Sequence, residues 1–248
     1  MAGAEVLGRL NWLAAKVSQV RAETARVRSI YFECPGWDGH MAGQHVDIRL
    51  TAEDGYQAQR SYSIGSAPED DHLVLTVERL QDGEVSPYLV DVVEAGDQLE
   101  MRGPIGRYFV WKESMGGPLL MIAGGSGVVP FRSMLRHRVS TNADAPTRLI
   151  YSSRTLEDVI YRQELENFAE RDGIDVELVL TRAQPPEWKG YSRRIDREML
   201  DEVAWAPGER PLIYICGPTS FVETAAAALV DLGHDPGMVR TERFGPSG

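Results

Sequence analysis

The hydrophobic pattern of this chain changes at Gly116-Gly117-Pro118, and this change constrains the fold more than any other feature. Before it, polar and apolar residues alternate in short segments, as in strands with one buried face. After it, Leu119–Ala123 is a continuous apolar run, as expected of a parallel strand covered on both faces. We therefore predict two domains, residues 1–114 and residues 115–248, because 248 residues suffice for two cores.

The first domain is predicted to be an antiparallel β-barrel with one helix, and a sandwich is the nearest alternative. Alternating residues indicate strands at Lys16–Val20, Val27–Phe32, His45–Leu50 and His72–Val77. Turn residues such as Pro35-Gly36 and Asp54-Gly55 separate these segments. Short strands at such intervals are typical of barrels and sandwiches. Only Ser86–Val93 has a helical pattern in this half.

The second domain is predicted to be an α/β open parallel sheet. Apolar strands alternate with segments whose apolar residues recur at helical spacing. The strands are expected at Leu119–Ala123, Arg148–Tyr151, Val176–Leu180, Leu212–Ile215 and Met238–Arg243. Strand–helix alternation with short connections predicts a parallel sheet with crossover helices.

Composition excludes several classes of function. The chain has 26 Lys and Arg against 37 Asp and Glu, a net charge of -11, so repulsion opposes binding to nucleic acid or an anionic membrane. The two cysteines, Cys34 and Cys216, form no CxxC pair, and we expect no metal site. Met1–Leu10 lacks a secretory pattern, and no apolar run is long enough to span a membrane. We therefore expect a soluble, cytoplasmic protein.

Arg60-Ser61-Tyr62-Ser63 is the first candidate binding motif, and we place it at the start of a strand, after the polar turn Gln57–Gln59. A guanidinium can neutralise a diphosphate, a phenol can pack on a ring, and a hydroxyl can hydrogen-bond a ring nitrogen. The alternative is a barrel strand with outward polar groups.

Asp82–Ser86 precedes the helix of the first half. The backbone N–H groups of a helix start can bind a phosphate. Ser86 can equally be the N-cap, with Pro87 at the first helical position, and the two interpretations are compatible. Gly103–Gly106 reads as a turn.

Gly124–Gly127 joins an apolar strand to a helix, where glycines let a diphosphate approach the backbone amides and the helix dipole favours its charge. The spacing is not GxGxxG, and a tight turn is the alternative. Cys216-Gly217-Pro218 ends a later parallel strand, at the edge where such sheets bind ligands. A buried structural cysteine is the alternative for Cys216. Glu242–Gly245 can place a carboxylate and a ring at the same site, or be only a final strand and its tail.

Taken together, these motifs resemble the ferredoxin–NADP reductase superfamily from about Trp12 to Phe244, in the order the family has them. The resemblance implies that the barrel binds FAD, less often FMN, and that a Rossmann-like domain binds NAD(P)H. The chain differs from the family's usual pattern at two places. Residues Gly245–Gly248 follow the aromatic Phe244, and Ser126 stands where the family usually has threonine. The ending is more similar to reductase modules of bacterial dioxygenases and flavohaemoglobins, without their iron–sulfur or globin domains.

The resemblance also implies roles for individual residues. Arg60 would contact the flavin phosphates, Tyr62 would pack on the flavin, and Ser63 would hydrogen-bond N5. The flavin's phosphate region would also be held by Gly83, Val85 and Ser86, and the nucleotide's diphosphate by Gly125, Ser126 and Gly127. Ser63, Cys216 and Glu242 would be catalytic, with Cys216 near the nicotinamide C4. The residues expected to contact flavin or nucleotide are Arg60, Ser61, Tyr62, Ser63, Val77, Gly83, Val85, Ser86, Gly125, Ser126, Gly127, Ser153, Arg154, Arg162, Cys216, Gly217, Pro218 and Phe244.

The end of the second parallel strand bears on which nucleotide binds. A carboxylate there commonly bonds the ribose 2′-hydroxyl of NAD, but Ser152–Thr155 contains no acid and the first one is Glu157. Arg154, with Arg162, can pair with a 2′-phosphate, and Ser153 can add a hydrogen bond. The sequence therefore favours NADPH over NADH. The alternative is that Arg154 is a solvated loop charge.

The resemblance implies electron transfer from NADPH through the flavin to a separate redox protein such as a ferredoxin. Two alternatives stay open. One is a flavin reductase that releases reduced free flavin. The other is a non-catalytic electron-transfer or nucleotide-sensing subunit of a larger complex.

Overall fold

The computed structural model describes residues 10–245. Residues 1–9 and 246–248 of the two predicted domains lie outside this range, as does nearly all of the Met1–Leu10 segment that we expect to carry no secretory signal. Within the described residues, no helix has the length and apolar character needed to cross a membrane.

The first half forms a six-stranded antiparallel sheet in the order β4-β3-β6-β1-β2-β5. Its outer strands meet through an antiparallel bridge between Ile64 and Leu75, which closes the sheet into the predicted barrel. Alternate residues of each strand fill the interior, and the helix α1 (Ser86–Asp91) adds Leu89 and Val90 to that core. The strands are β1 (Leu13–Thr24), β2 (Val27–Glu33), β3 (His45–Thr51), β4 (Gln57–Ser63), β5 (Leu73–Glu78) and β6 (Gln98–Ile105).

The second half forms a five-stranded parallel sheet in the order β11-β10-β7-β8-β9. Every residue of β7 is buried, as its unbroken apolar run predicts. The strands are β7 (Leu119–Gly124), β8 (Thr147–Ser153), β9 (Ile174–Leu180), β10 (Leu212–Pro218) and β11 (Val239–Phe244). The helices are α2 (Val129–Ser140), α3 (Arg162–Ala169), α4 (Arg197–Val203) and α5 (Thr219–Asp231). The predicted fold class is confirmed in both halves.

The order of the parallel strands defines a place for a ligand. The chain moves outward from β7 through β8 to β9 and then returns to the other side of β7 as β10. The connections that leave the carboxyl ends of β7 and β10 therefore run to opposite sides and open a crevice between them. Gly124–Gly127 and Cys216–Pro218 both lie at this crevice.

The two sheets share a hydrophobic core, so their relative position is built into the fold. Phe109 and Trp111, which follow the barrel, are buried in one cluster with side chains of β7 and α2. Arg132 of α2 is 2% exposed, donates to the backbone oxygen of Gly65 at 3.0 Å and pairs with Glu164 at 2.8 Å. Burying a guanidinium requires such complete pairing.

Two local predictions are wrong. β4 begins at Gln57, so Arg60–Ser63 forms its end and not its start; the apparent polar turn pairs with Thr51–Arg49 of β3. Gly103–Ile105 belongs to β6 and is not a turn, because Ile105 pairs with His45 of β3 and a bulge carries Gly103 and Pro104 between that pair and the pair of Asp47 with Arg102. In both places strand pairing overrides local turn propensity. The boundary at residues 114 and 115 falls in the 3-10 turn Glu113–Met115 between the sheets and stays a prediction.

Candidate active site

A cleft of about 200 Å³ lies between the barrel and the carboxyl edge of the parallel sheet. Both halves of the chain line it. The barrel side is Arg26, Val27 and Glu78. The other side is Gly124, Gly125, Ser152, Ser153, Arg154, Asp158, Ile160, Thr181, Pro218, Phe221 and Phe244. Five of the predicted contact residues therefore line one space: Gly125, Ser153, Arg154, Pro218 and Phe244.

The glycine loop is shaped by close backbone contacts. Gly125 has a φ of +56°, in the left-handed region that favours glycine. A Cβ atom on Gly127 would lie 2.1 Å from the backbone oxygen of Cys216, so the loop touches the end of β10. Phe221 packs over Gly124 and Gly217, where added Cβ atoms would lie 3.0 and 2.8 Å from its ring.

The first turn of α2, which follows this loop, has the chemistry of an anion site. No side chain caps it and its first turn carries no acidic residue. The Val129 N–H already donates to the Ser126 oxygen and Pro130 has no N–H, so this turn offers a negatively charged ligand mainly the positive end of the helix dipole. The loop fits a diphosphate in this respect.

Ser126, however, is already engaged. Its hydroxyl donates to the Glu78 carboxylate at 2.9 Å, and the other carboxylate oxygen lies 3.4 Å from Arg26. Sequence reasoning missed Glu78 and Arg26, because both read as ordinary barrel charges. Only the packing of the barrel against the sheet brings Glu78 to a loop 48 residues later in the chain.

Cys216 and Glu242 are neighbours across β10 and β11. Cys216 is 1% exposed, and burial, with the nearby Glu242 carboxyl, raises the pKa of its thiol well above the ordinary value. Burial also raises the pKa of Glu242 to about 7. The carboxyl edge of the sheet therefore offers a neutral thiol beside a carboxyl that can exchange a proton near neutral pH.

The motif on β4 forms a second cluster with the loop before α1. Arg60 pairs with Glu84 at 3.0 Å, and the hydroxyl of Tyr56 also donates to Glu84, at 2.8 Å. Ser61 donates to Asp47 at 2.7 Å. Burial raises the pKa of Tyr62, so its phenol stays neutral. The ion pair thus brings together Arg60 and the Gly83–Ser86 segment, which sequence reasoning assigned to the same ligand.

The predicted N-cap at Ser86 is wrong. The N-cap of α1 is Val85 and makes no side-chain cap, while the hydroxyl of Ser86 accepts from the Leu80 N–H at 3.1 Å. This bond closes the turn around Gly83, where a Cβ atom would lie 2.7 Å from the hydroxyl oxygen of Ser86. Val77 and Val85 are fully buried in the barrel core, so neither offers an exposed side chain to a ligand.

The end of β8 is braced by the segment after β9. Thr181 donates its hydroxyl to the Ser153 oxygen at 3.1 Å, and the Arg182 N–H donates to the Arg154 oxygen at 2.9 Å. Both arginine side chains are exposed. Arg162 instead pairs with Glu166 along α3 at 3.0 Å and is not among the residues lining the cleft. Thr181 lines the cleft and is a residue that sequence reasoning missed.

Comparison with known families matches the two halves in turn. Residues 14–110 match the oxidoreductase FAD-binding domain. Residues 121–227 match the oxidoreductase NAD-binding domain. The FAD-binding match covers the barrel, and the NAD-binding match covers the glycine loop and Cys216-Gly217-Pro218.

Individual proteins give the same result. Ferredoxin–NADP reductase B of Sorangium cellulosum is 35% identical over 239 residues, covering 93% of this chain and 96% of that protein. The glycine betaine monooxygenase reductase subunit of Pseudomonas aeruginosa is 33% identical over 208 residues, covering 83% of this chain. The match spans 56% of that relative's length.

A solved structure has the same fold. The FAD/NAD-binding domain of a nitric oxide dioxygenase from Vibrio cholerae superposes with a TM-score of 0.83 at 23% identity, covering 94% of this chain and 99% of that one. Sequence motifs, domain matches and fold thus agree, and the chain belongs to the ferredoxin–NADP reductase superfamily, whose members join an FAD-binding domain to an NAD-binding domain.

Proposed function

We propose that this protein is an FAD-dependent NAD(P)H oxidoreductase that takes hydride from the nicotinamide at flavin N5 and passes electrons to a separate redox protein. The observation that carries the proposal is a single cleft lined by the barrel and by the carboxyl edge of the parallel sheet. Such a cleft lets a ligand of each domain approach the other. The relatives' names, a ferredoxin–NADP reductase and a monooxygenase reductase subunit, support a separate acceptor.

The barrel residues fit FAD by their chemistry. Arg60 is an exposed guanidinium beside the Gly83–Ser86 segment and suits a diphosphate. Its ion pair with Glu84 would have to break when the diphosphate binds. The ring of Tyr62 suits packing on the isoalloxazine, and the hydroxyl of Ser63 suits a hydrogen bond to its N5. When bound, the flavin supplies the step from two-electron to one-electron transfer. The barrel domain, which we propose spans residues 1–114, would hold and orient it.

The domain of the parallel sheet, which we propose spans residues 115–248, would hold the nicotinamide nucleotide. The amides of Gly125–Gly127 would bind its diphosphate. Cys216, Gly217 and Pro218 would border the nicotinamide, with the buried Cys216 thiol as a small neutral contact. Glu242 would hold a proton on its carboxyl below about pH 7, and Phe244 would cover the isoalloxazine. Ser63, Cys216 and Glu242 are thus the proposed catalytic residues.

The visible spectrum of the purified protein tests the proposal. We expect bound FAD at about one per chain and rapid bleaching when NADPH is added without oxygen. Addition of an oxidised ferredoxin should then restore the flavin colour while FAD stays bound. Loss of FAD during turnover would instead indicate a flavin reductase. A colourless protein that cannot be reconstituted with FAD would indicate a non-catalytic subunit.

NADPH is the proposed nucleotide. Arg154 lines the cleft beside Ser153, Arg182 lies on the segment that braces it, and Ser152–Thr155 contains no carboxylate. The exposed guanidinium of Arg154 at the cleft suits a 2′-phosphate. Asp158 also lines the cleft, and the hydroxyl of Thr155 donates to it at 3.3 Å. We assign the discrimination to Arg154, because its guanidinium would gain more from a charged 2′-phosphate than Asp158 would gain from a 2′-hydroxyl.

Replacing Arg154 with alanine is expected to raise the KM for NADPH about tenfold and leave the KM for NADH nearly unchanged, since one charge-assisted hydrogen bond to phosphate is lost. Steady-state kinetics with both nucleotides measure this. Arg171→Ala is the matched control, because Arg171 is exposed at the opposite, amino edge of the sheet. Equal losses with both nucleotides, or a wild-type preference for NADH, would contradict the assignment.

A further inference from the structure

Glu78 places a negative charge beside the loop that is to bind an anion. It ends β5, pairs with Val27 of β2, and its side chain is 25% exposed. One carboxylate oxygen accepts from the Ser126 hydroxyl at 2.9 Å. The same oxygen lies 3.8 Å from the position of a Cβ atom on Gly125. The carboxylate thus lies against two of the three residues proposed to hold the diphosphate.

The charge of Glu78 is only partly neutralised. Its nearest cation is Arg26, whose guanidinium lies 3.4 Å away and is 46% exposed. A long, solvated ion pair of this kind contributes little attraction. A diphosphate on the glycine loop would therefore meet a carboxylate that repels it.

We infer that Glu78 is a positioning residue that latches the barrel to the glycine loop when no nucleotide is bound, and that it lowers the affinity of the cleft for the dinucleotide. Ser126 has one hydroxyl proton to donate. Binding would move this hydrogen bond from Glu78 to a phosphate oxygen, and Glu78 would turn toward Arg26 and solvent. The inference rests on the proposed function, because it requires a dinucleotide in this cleft.

The latch would affect release more than chemistry. Repulsion by Glu78 opposes the reduced and the oxidised nucleotide alike, since both carry the diphosphate. Uniform weakening of this kind raises Kd and KM without slowing the chemical step. Glu78 would thereby speed departure of the oxidised nucleotide, so that the cleft is free for the next turnover.

The test is calorimetric titration of the oxidised, FAD-loaded protein with NADP+, which binds without reacting. Glu78→Gln keeps the shape and an acceptor for Ser126 but removes the charge. We expect its Kd to fall about tenfold at low salt, as for one like charge at a partly exposed site. The ratio of the wild-type Kd to the Glu78→Gln Kd should shrink toward about threefold in 0.5 M salt, because screening weakens the repulsion in the wild type.

Three controls separate charge from structure. Glu78→Asp keeps the charge, so its Kd should stay within about twofold of the wild type. Glu78→Ala removes the charge and the hydrogen bond, and it should tighten binding as Gln does. Glu94→Gln removes one exposed carboxylate of the same half away from the cleft, and its Kd should not change. Melting temperature and flavin absorbance confirm that each variant is folded.

An unchanged or larger Kd in both Glu78→Gln and Glu78→Ala overturns the inference, as does a ratio that is independent of salt. A larger Kd would mean that Glu78 accepts a hydrogen bond from the nucleotide. These results are distinct from failure of the proposed function. In that case the wild type itself would bind neither NADP+ nor NAD+.

Discussion

Gly127→Ala is expected to lower the free energy of unfolding by about 3 kcal/mol, at the upper end of the usual range for overpacking. The new methyl group would lie 2.1 Å from the backbone oxygen of Cys216 and 2.9 Å from the backbone nitrogen of Gly217. Backbone atoms of a central strand cannot rotate away as a side chain can, so the loop must separate from β10. Urea unfolding followed by circular dichroism measures the loss.

Gly208→Ala is the control for the added methyl group. Gly208 lies in the 3-10 turn Pro207–Glu209, and nothing lies within 4 Å of its added Cβ atom. We expect this variant to be neutral or stabilised by about 0.5 kcal/mol, because alanine narrows the unfolded ensemble. If the two variants unfold at the same urea concentration, the close contact between the glycine loop and β10 is not rigid.

Gly127→Ala should also affect nucleotide binding and FAD binding differently. Because the loop would be pushed away from the end of β10, the amides of Gly125–Gly127 and the Cys216-Gly217-Pro218 segment would no longer border one crevice. We expect the folded fraction of Gly127→Ala to bind NADP+ more weakly than Gly208→Ala does. The barrel is built from other strands, so its FAD content should be retained.

Glu242 is expected to make stability depend on pH. Its pKa rises from an ordinary value near 4.5 to about 7 in the folded chain, which corresponds to roughly 3 kcal/mol. Below pH 4.5 the carboxyl is protonated in both states and costs nothing. Between about 4.5 and 7 the unfolded chain releases this proton while the folded chain keeps it. The contribution of Glu242 to stability therefore falls as pH rises through this window and is constant above it.

Glu242→Gln isolates this contribution, because the amide fills the same space without titrating. We expect the difference in unfolding free energy between the variant and the wild type to grow in favour of the variant by roughly 3 kcal/mol from pH 4.5 to pH 7.5. Urea titrations at four pH values in this range measure it. Glu94→Gln, at an exposed position, should show no such slope. Parallel pH profiles for Glu242→Gln and the wild type would mean that water reaches Glu242.

The sequence predicts strands correctly where buried residues alternate regularly with exposed ones or form one unbroken apolar run. β1, β2, β3 and β5 were predicted from alternation. The parallel strands were predicted from their apolar runs, and β7 is buried along its whole length. Local propensity failed at β4 and β6, since Gln57–Gln59 and Gly103–Ile105 resemble turns and become strands only when β3 pairs with both.

The site residues also divide into those that a local pattern predicts and those that only tertiary packing reveals. The glycine loop and Cys216-Gly217-Pro218 were found because each follows a strand of a parallel sheet, so the topology placed them at one edge. Glu78, Arg26, Thr181 and Arg182 carry no such signal. Each is a polar residue at a strand end or turn, and such residues are usually solvated.

The two sheets, their order along the chain and the edge at which the motifs meet can be predicted from the residues alone, because hydrophobic period and turn chemistry act over a few residues. Three contacts of the site are seen only in the folded protein: Glu78 with Ser126, Glu242 beside Cys216, and Gly127 against β10. These contacts join residues far apart in the chain. They depend on how the barrel packs on the sheet and on the strand order, and a local pattern carries no record of either.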